Sequence, residues 1–93
     1  MTSLPPIPDS LHSALRAAPV APVLTIDDAG RAAALADTLW SAGVRVFEVT
    51  LRTPAGLDAL QAMAQAVPQA VVGVGTVATA DHLRQARDAG ARF

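Results

Sequence analysis

Residues 44–51 read Val-Arg-Val-Phe-Glu-Val-Thr-Leu, and this β-rich stretch predicts a strand because turn residues bound it on both sides. Side chains alternate across a strand, so the stretch has two distinct faces. One face is mostly apolar and consists of Arg45, Phe47, Val49 and Leu51. The other face turns polar toward its carboxyl end and consists of Val44, Val46, Glu48 and Thr50, with Arg52 next in phase. The apolar face is therefore predicted to pack against helices.

Strands and helices alternate on both sides of this stretch with a repeat of about 25 residues, the length of one βα unit. Further strands are predicted at 19–26 and 71–77, and a fourth begins at 92–93. Helices are predicted at about 9–17, 28–42, 53–67 and 79–89, the last three capped by Asp27, Thr53 and Thr79. Gly43 and Gly90 are expected to follow two of the helix ends.

Uninterrupted βα alternation indicates an α/β fold with a parallel sheet covered by helices. A closed (β/α)8 TIM barrel takes about 250 residues, so three βα units and the start of strand four amount to less than half of one. We therefore expect residues 1–18 to form a lead-in with a short helix, and residues 19–93 to form the first units of an incomplete barrel domain. The abrupt end at the fourth strand suggests a truncated chain.

The composition excludes several classes of function. Seven basic residues against eight acidic ones give a net charge of −1, which provides no electrostatic footprint for nucleic acid or anionic lipid. No apolar run approaches the length of a membrane span, and the N-terminus lacks a secretory signal, so a cytoplasmic location is expected. The chain has no Cys and no metal-ligand spacing, and all seven basic residues are Arg. A Schiff-base mechanism would therefore need a lysine from outside these residues.

The carboxyl end of the 44–51 strand carries the main candidate site, since functional crevices of parallel α/β folds lie at that end. An inward carboxylate there is costly unless it is paired or used. One interpretation makes Glu48 a general base beside Arg52, whose rigid fork suits a substrate carboxylate. The alternative is an internal Glu48–Arg52 ion pair, or an Arg52 that is simply exposed to water.

The third predicted strand ends in Gly-Val-Gly-Thr-Val-Ala at 73–78, which formally fits a dinucleotide-binding fingerprint. That fingerprint belongs after the first strand of its fold, whereas two βα units precede it here. The glycines are better interpreted as allowing a helix or a ligand to approach the sheet closely. Thr76 is then a candidate to present its hydroxyl at the crevice, or it only terminates the strand. Further candidates for lining the pocket are Thr25, Thr50 and Gly75.

Four blocks of the chain form a specific pattern in their order and spacing. They read Pro-Val-Leu at 22–24, Ala-Gly-Val-Arg-Val-Phe-Glu-Val-Thr-Leu-Arg-Thr-Pro at 42–54, Val-Gly-Val-Gly-Thr-Val at 72–77 and Ala-Gly-Ala-Arg-Phe at 89–93. With these blocks the chain resembles, from about residue 10 onward, the N-terminal half of the 2-keto-3-deoxy-6-phosphogluconate / 4-hydroxy-2-oxoglutarate aldolases.

The resemblance implies a class I aldolase with an eight-stranded barrel, usually a homotrimer, that needs no cofactor or metal. Such an enzyme cleaves a keto-acid substrate to pyruvate and an aldehyde through a Schiff base on a lysine. Glu48 matches the glutamate that moves protons, and Arg52 and Thr76 match the residues that hold the pyruvate carboxylate. The family's lysine lies on a later strand, so these 93 residues are expected to be inactive by themselves. Two other hypotheses remain: a non-catalytic half-barrel that self-assembles, and another phosphate-binding barrel enzyme.

Overall fold

The computed structural model describes residues 9–17 and 20–93, which form four α-helices and three strands. The predicted lead-in at 1–8 and the start of the first predicted strand lie outside these residues. In chain order the elements are α1 (Asp9–Ala17), β1 (Val23–Leu24), a 3-10 turn (Ala29–Arg31), α2 (Ala32–Ser41), β2 (Val46–Thr50), α3 (Gly56–Ala66), β3 (Val71–Gly75) and α4 (Ala80–Ala89).

The three strands form one parallel sheet in the order β1-β2-β3. The register places Glu48 beside Val23 on one neighbour and beside Gly73 on the other. The chain after α4 returns to the free side of β3, where the Arg92 N–H donates to the Val72 carbonyl at 2.8 Å. The Val74 N–H donates to the Phe93 carbonyl at 3.0 Å. The predicted α/β fold with parallel βα units and the start of a fourth strand is therefore confirmed.

The hydrophobic core lies between one face of the sheet and the helices α2, α3 and α4. Phe47 and Val72 enter it from the sheet, and Leu60 and Met63 enter it from α3. Each of these large side chains is almost completely removed from water, which stabilises the fold by about 1.5–3 kcal/mol per side chain. The apolar face predicted for the 44–51 stretch is thus the face that packs on the helices.

The opposite face of the sheet is polar at its carboxyl end and apolar at its amino end. Val46 and Val71 are buried there although they do not belong to the core beneath the helices, and α1 contacts both β2 and β3. Further along the same face of β2 come Glu48 and Thr50. This arrangement leaves the carboxyl end of the sheet as the place where polar side chains converge.

The strands are shorter than predicted, and two helix starts differ from the prediction. β1 has two residues, because it is an edge strand and Pro22 has no N–H to donate. Asp28, not Asp27, caps the turn before α2, because its extended backbone lets its carboxylate accept from the Gly30 N–H at 2.9 Å. Thr53 does not cap α3 either, since its hydroxyl donates to the Ile26 carbonyl at 2.6 Å.

The predicted cap of α4 and two predicted helix ends are confirmed. The Thr79 hydroxyl accepts a hydrogen bond from the His82 N–H at 3.0 Å. Gly43 and Gly90 adopt left-handed φ values of 97° and 113°, the conformation that ends a helix at little cost only in glycine. These ends fix where the chain enters the strands that follow. None of the helices in the described ranges has the length and hydropathy required to span a lipid bilayer.

Candidate functional site

The candidate site lies at the carboxyl end of β2, on the sheet face opposite α2, α3 and α4. Glu48 is half-buried there, and Thr50 is 4% exposed. The structure therefore brings the chain's only glutamate to the face on which the alternation of side chains predicts it. It also places Glu48 next to β3, the strand that carries the two predicted glycines.

The Glu48 carboxylate lies over Gly75 of β3. A Cβ atom at Gly75 would overlap Oε2 of Glu48 and would lie 2.9 Å from its Cδ. The sequence predicts a close approach at these glycines by a helix or a ligand, whereas the group that approaches Gly75 is the glutamate side chain. Gly75 therefore provides the space that the carboxylate occupies.

Arg52 and Thr76 meet at the same end of the sheet. Arg52 follows β2 in the turn before α3, and its Nε donates to Oγ1 of Thr76 at 3.2 Å. Both residues are exposed, and the two terminal amino groups of the guanidinium have no hydrogen-bond partner among residues 9–17 and 20–93. Donors in this arrangement can bind a carboxylate from solution.

Glu48 and Arg52 do not form an ion pair with each other in the described part of the chain. Arg52 instead uses its guanidinium to hold the Thr76 hydroxyl. Of the alternatives open from the sequence, the internal ion pair is therefore wrong for this structure, whereas the exposure of Arg52 agrees with the alternative of an arginine in contact with water. The carboxylate and the guanidinium both remain available to a third partner.

Thr76 has a left-handed backbone with φ 58°, which is rare for a β-branched residue. The sequence places it in phase with Val72 and Val74, which face the helix side. The left-handed residue ends the strand and breaks that alternation, and the hydroxyl is in fact directed to Arg52. Strain of this kind costs about 1–3 kcal/mol and is typical of functional sites.

Replacing Thr76 by Gly should therefore raise the free energy of unfolding by about 0.5–1 kcal/mol, since relief of the left-handed strain exceeds the extra chain entropy of glycine. The measurement is urea unfolding of the 93-residue chain followed by circular dichroism. The matched control is Val77→Gly, one residue further on, where φ is not positive and stability should fall. A loss in Thr76→Gly equal to that in Val77→Gly would contradict the strained backbone.

Thr25 and Thr50 form a hydroxyl pair between the ends of the first two strands, with their Oγ1 atoms 2.9 Å apart. Thr25 is exposed and Thr50 is buried, so the pair extends from the surface into the interior at the level of the site. A further hydrogen bond, which the Thr53 hydroxyl donates to the Ile26 carbonyl, joins the turn after β2 to the segment after β1. Both contacts fix the relative positions of the strand ends.

Sequence reasoning did not place Phe93 beside the candidate site, although this residue ends the Ala-Gly-Ala-Arg-Phe block at 89–93. The ring of Phe93 fills the space above Gly73, where an added Cβ would overlap three of its ring carbons. The glycine itself is the signal for a close approach, but nothing in the sequence identifies the neighbour. For metals, no group of three or more His, Cys, Asp or Glu side chains is placed to hold an ion in the described ranges.

A family model described as KDPG and KHG aldolase matches residues 11–93. The 2-dehydro-3-deoxy-phosphogluconate aldolase of Zymomonas mobilis ZM4 is 49% identical over 83 residues, which cover 89% of this chain and 39% of that protein. The chain thus spans about two fifths of the length of the curated relatives it matches.

Several solved structures share the fold of this chain. The crystal structure of the 2-keto-3-deoxy-6-phosphogluconate aldolase from Zymomonas mobilis ATCC 29191 matches with a TM-score of 0.79 at 50% identity, covering 88% of this chain and 39% of that one. The KDPG aldolase of Legionella pneumophila, solved with pyruvate captured as a covalent carbinolamine, matches with a TM-score of 0.78 at 40% identity, covering 87% and 39%. The sheet and helices described above therefore correspond to a part of those larger folds.

Proposed function

Since the chain belongs to the KDPG and KHG aldolase family, we propose that it forms the acid–base and carboxylate-binding part of an aldolase that releases pyruvate. The proposed substrate is 2-keto-3-deoxy-6-phosphogluconate, 4-hydroxy-2-oxoglutarate or both. The observation that carries the proposal is the convergence of Glu48 and the Arg52–Thr76 pair at the carboxyl end of the sheet, without an ion pair between the two charged groups.

The proposed reaction uses a lysine that these 93 residues do not contain. Its amine adds to the ketone, and loss of water gives an iminium. The bond between C3 and C4 then breaks, its electron pair moves to the iminium nitrogen to form an enamine, and the C4 hydroxyl loses its proton as the aldehyde forms. Protonation of the enamine and hydrolysis release pyruvate and restore the amine.

Glu48 is the group proposed to carry the protons in these steps. Its carboxylate is half-buried on the sheet face opposite α2, α3 and α4, which we call the inward face. A general acid or base must lie on this face to reach the ketone and the hydroxyl. Arg52 is proposed to bind the carboxylate of the substrate through its terminal amino groups, with Thr76 orienting the guanidinium. A bound keto acid would thereby be held with its reacting carbons toward Glu48.

The proposal is tested with a hybrid aldolase, in which residues 11–93 of this chain replace the matching segment of the Zymomonas mobilis ZM4 relative. That relative provides the remaining part of the barrel, which by the family resemblance includes the lysine. We expect the hybrid aldolase to release pyruvate from the keto-deoxy acid, and the 93-residue chain alone to show no turnover. A folded hybrid aldolase without lyase activity would contradict the proposed function.

Replacing Arg52 by Lys in the hybrid aldolase should mainly raise KM and leave kcat nearly unchanged. A lysine places a single point charge where the guanidinium offers two parallel donors, so binding of the carboxylate weakens in the ground state and the transition state alike. The measurement is steady-state kinetics of pyruvate release. Arg84→Lys is the matched control, since Arg84 is exposed on α4 and pairs with Asp81. Equal KM values for both variants would exclude Arg52 from substrate binding.

The expected homotrimer, the cytoplasmic location and the absence of cofactors stay predictions. Size-exclusion chromatography of the hybrid aldolase measures the first of them. The same measurement on the 93-residue chain addresses the hypothesis of a self-assembling half-barrel, because an assembling chain elutes ahead of a monomer.

A further inference from the structure

The inward face of β3 carries Gly73 and Gly75, and each glycine has a different occupant. The space above Gly73 is filled by the ring of Phe93, and the space above Gly75 is filled by the carboxylate of Glu48. Consecutive inward positions lie about 6.5–7 Å apart along a strand, so these are two separate spaces. The Phe93 ring and the Glu48 carboxylate therefore cover neighbouring parts of the inward face of β3.

The carboxylate is displaced from the position that the register alone would give it. Glu48 is paired with Gly73, whereas Gly75 is paired with Thr50. Glu48 nevertheless extends along β3 by two residues, toward the carboxyl end of the sheet. Because the Phe93 ring takes the space above Gly73, the carboxylate cannot lie above its own register partner.

We propose that Gly75 is a positioning residue that holds the Glu48 carboxylate next to the Arg52–Thr76 pair. A side chain at position 75 would occupy the space of Oε2 and drive the carboxylate away from the carboxyl end, whereas glycine leaves that space open. Thr76 follows directly in the chain, so the strand end that accepts the carboxylate also supplies the partner of Arg52. The expected effect on turnover rests on the proposed function. The placement of the Glu48 carboxylate over Gly75 is independent of that function.

Gly75→Ala is the decisive variant because it should leave the fold intact. The φ of Gly75 lies outside the left-handed region, so alanine fits the backbone, and the atom it meets is the far end of a flexible side chain. The expected results are an unchanged or slightly higher stability and a fall in kcat of about 10²-fold, a loss that a misplacement of about 1 Å can cause. Gly30→Ala, in the exposed turn before α2, is the matched control and should leave kcat unchanged.

A double-mutant cycle in the hybrid aldolase separates positioning from an independent structural effect. If Gly75 acts through Glu48, then Gly75→Ala combined with Glu48→Gln should be no slower than Glu48→Gln alone, because the carboxylate is already absent. If the fold-reductions in kcat from the two single substitutions multiply in the double variant, the proposal is overturned. A kcat of Gly75→Ala equal to that of the parent would overturn it as well.

The geometry is tested in the 93-residue chain without any assay of activity. Glu48 is the only glutamate, so ¹³C-glutamate labelling gives one side-chain carboxyl resonance. We expect a nuclear Overhauser effect between the Gly75 α-protons and the Glu48 γ-protons, and a shift of the carboxyl resonance in Gly75→Ala but not in Gly30→Ala. Absence of both signals would overturn the placement of the carboxylate. If the signals are present while the hybrid aldolase is inactive, the proposed function fails and the positioning by Gly75 stands.

Discussion

Replacing Glu48 by Gln should lower the turnover of the hybrid aldolase by about 10²–10⁴, the share of a rate enhancement that general acid–base catalysis usually provides. Glutamine keeps the size of the side chain but can neither accept nor release the proton. The half-buried carboxylate has no ion-pair partner in Arg52, so no salt bridge between them is lost with it. The measurement is kcat for pyruvate release under saturating substrate.

Two comparisons make this result specific to Glu48. Asp58→Asn removes an exposed carboxylate from the first turn of α3 and should leave turnover unchanged. Borohydride should still trap pyruvate on the Glu48→Gln variant, although more slowly, because the lysine remains in place. Turnover equal to that of the parent would remove Glu48 from the mechanism.

Replacing Phe47 by Ala should lower the free energy of unfolding by about 3–5 kcal/mol, which is the usual cost of emptying the space of a buried aromatic ring. Phe47 is 0% exposed and lies at the centre of the helix-side core, on the strand that also carries Glu48. Urea unfolding of the 93-residue chain, followed by circular dichroism, measures the loss. Because the free energy of unfolding of small domains is only about 5–15 kcal/mol, we expect the cooperative urea transition to become very weak or to disappear.

The chain offers a matched control in its second phenylalanine. Phe93 is 39% exposed at the edge of the sheet, so Phe93→Ala should cost clearly less than Phe47→Ala. An equal decrease in the free energy of unfolding from the two substitutions would mean that the layer between β2 and the helices is not the main core.

The order and type of the elements could be predicted from the sequence because two hydrophobic periods alternate without interruption. The alternation in residues 44–51 correctly separates the face of Phe47 from the face of Glu48. Element ends were less predictable, because neighbouring residues often have the same capping chemistry. Asp27 and Asp28 can both cap a helix, and the structure uses Asp28, whose carboxylate accepts from the Gly30 N–H.

The candidate site was predictable in its residue types but not in its contacts. Strand phase places Glu48 and Thr50 on one face, and Arg52 falls at the strand end where it meets Thr76. The alternation of side chains along β3 does not predict the direction of the Thr76 side chain, because the left-handed φ of this residue interrupts the alternation. The extension of Glu48 toward Gly75 depends on the Phe93 ring, which is distant in sequence from both residues, so strand phase alone could not predict it.

The single tryptophan gives the protein an internal optical reporter. Trp40 packs against the helix-side core, and the guanidinium of Arg45 lies 3.8 Å from the centre of its ring. Arg45 also donates from Nη1 to the Trp40 carbonyl at 2.8 Å, so the indole is fastened at the junction of α2 and β2. Its intrinsic fluorescence should change when the apolar layer opens and stay constant when a keto acid reaches Glu48 on the other face. One emission band would therefore distinguish a variant that has unfolded from a variant that has only lost its ligand.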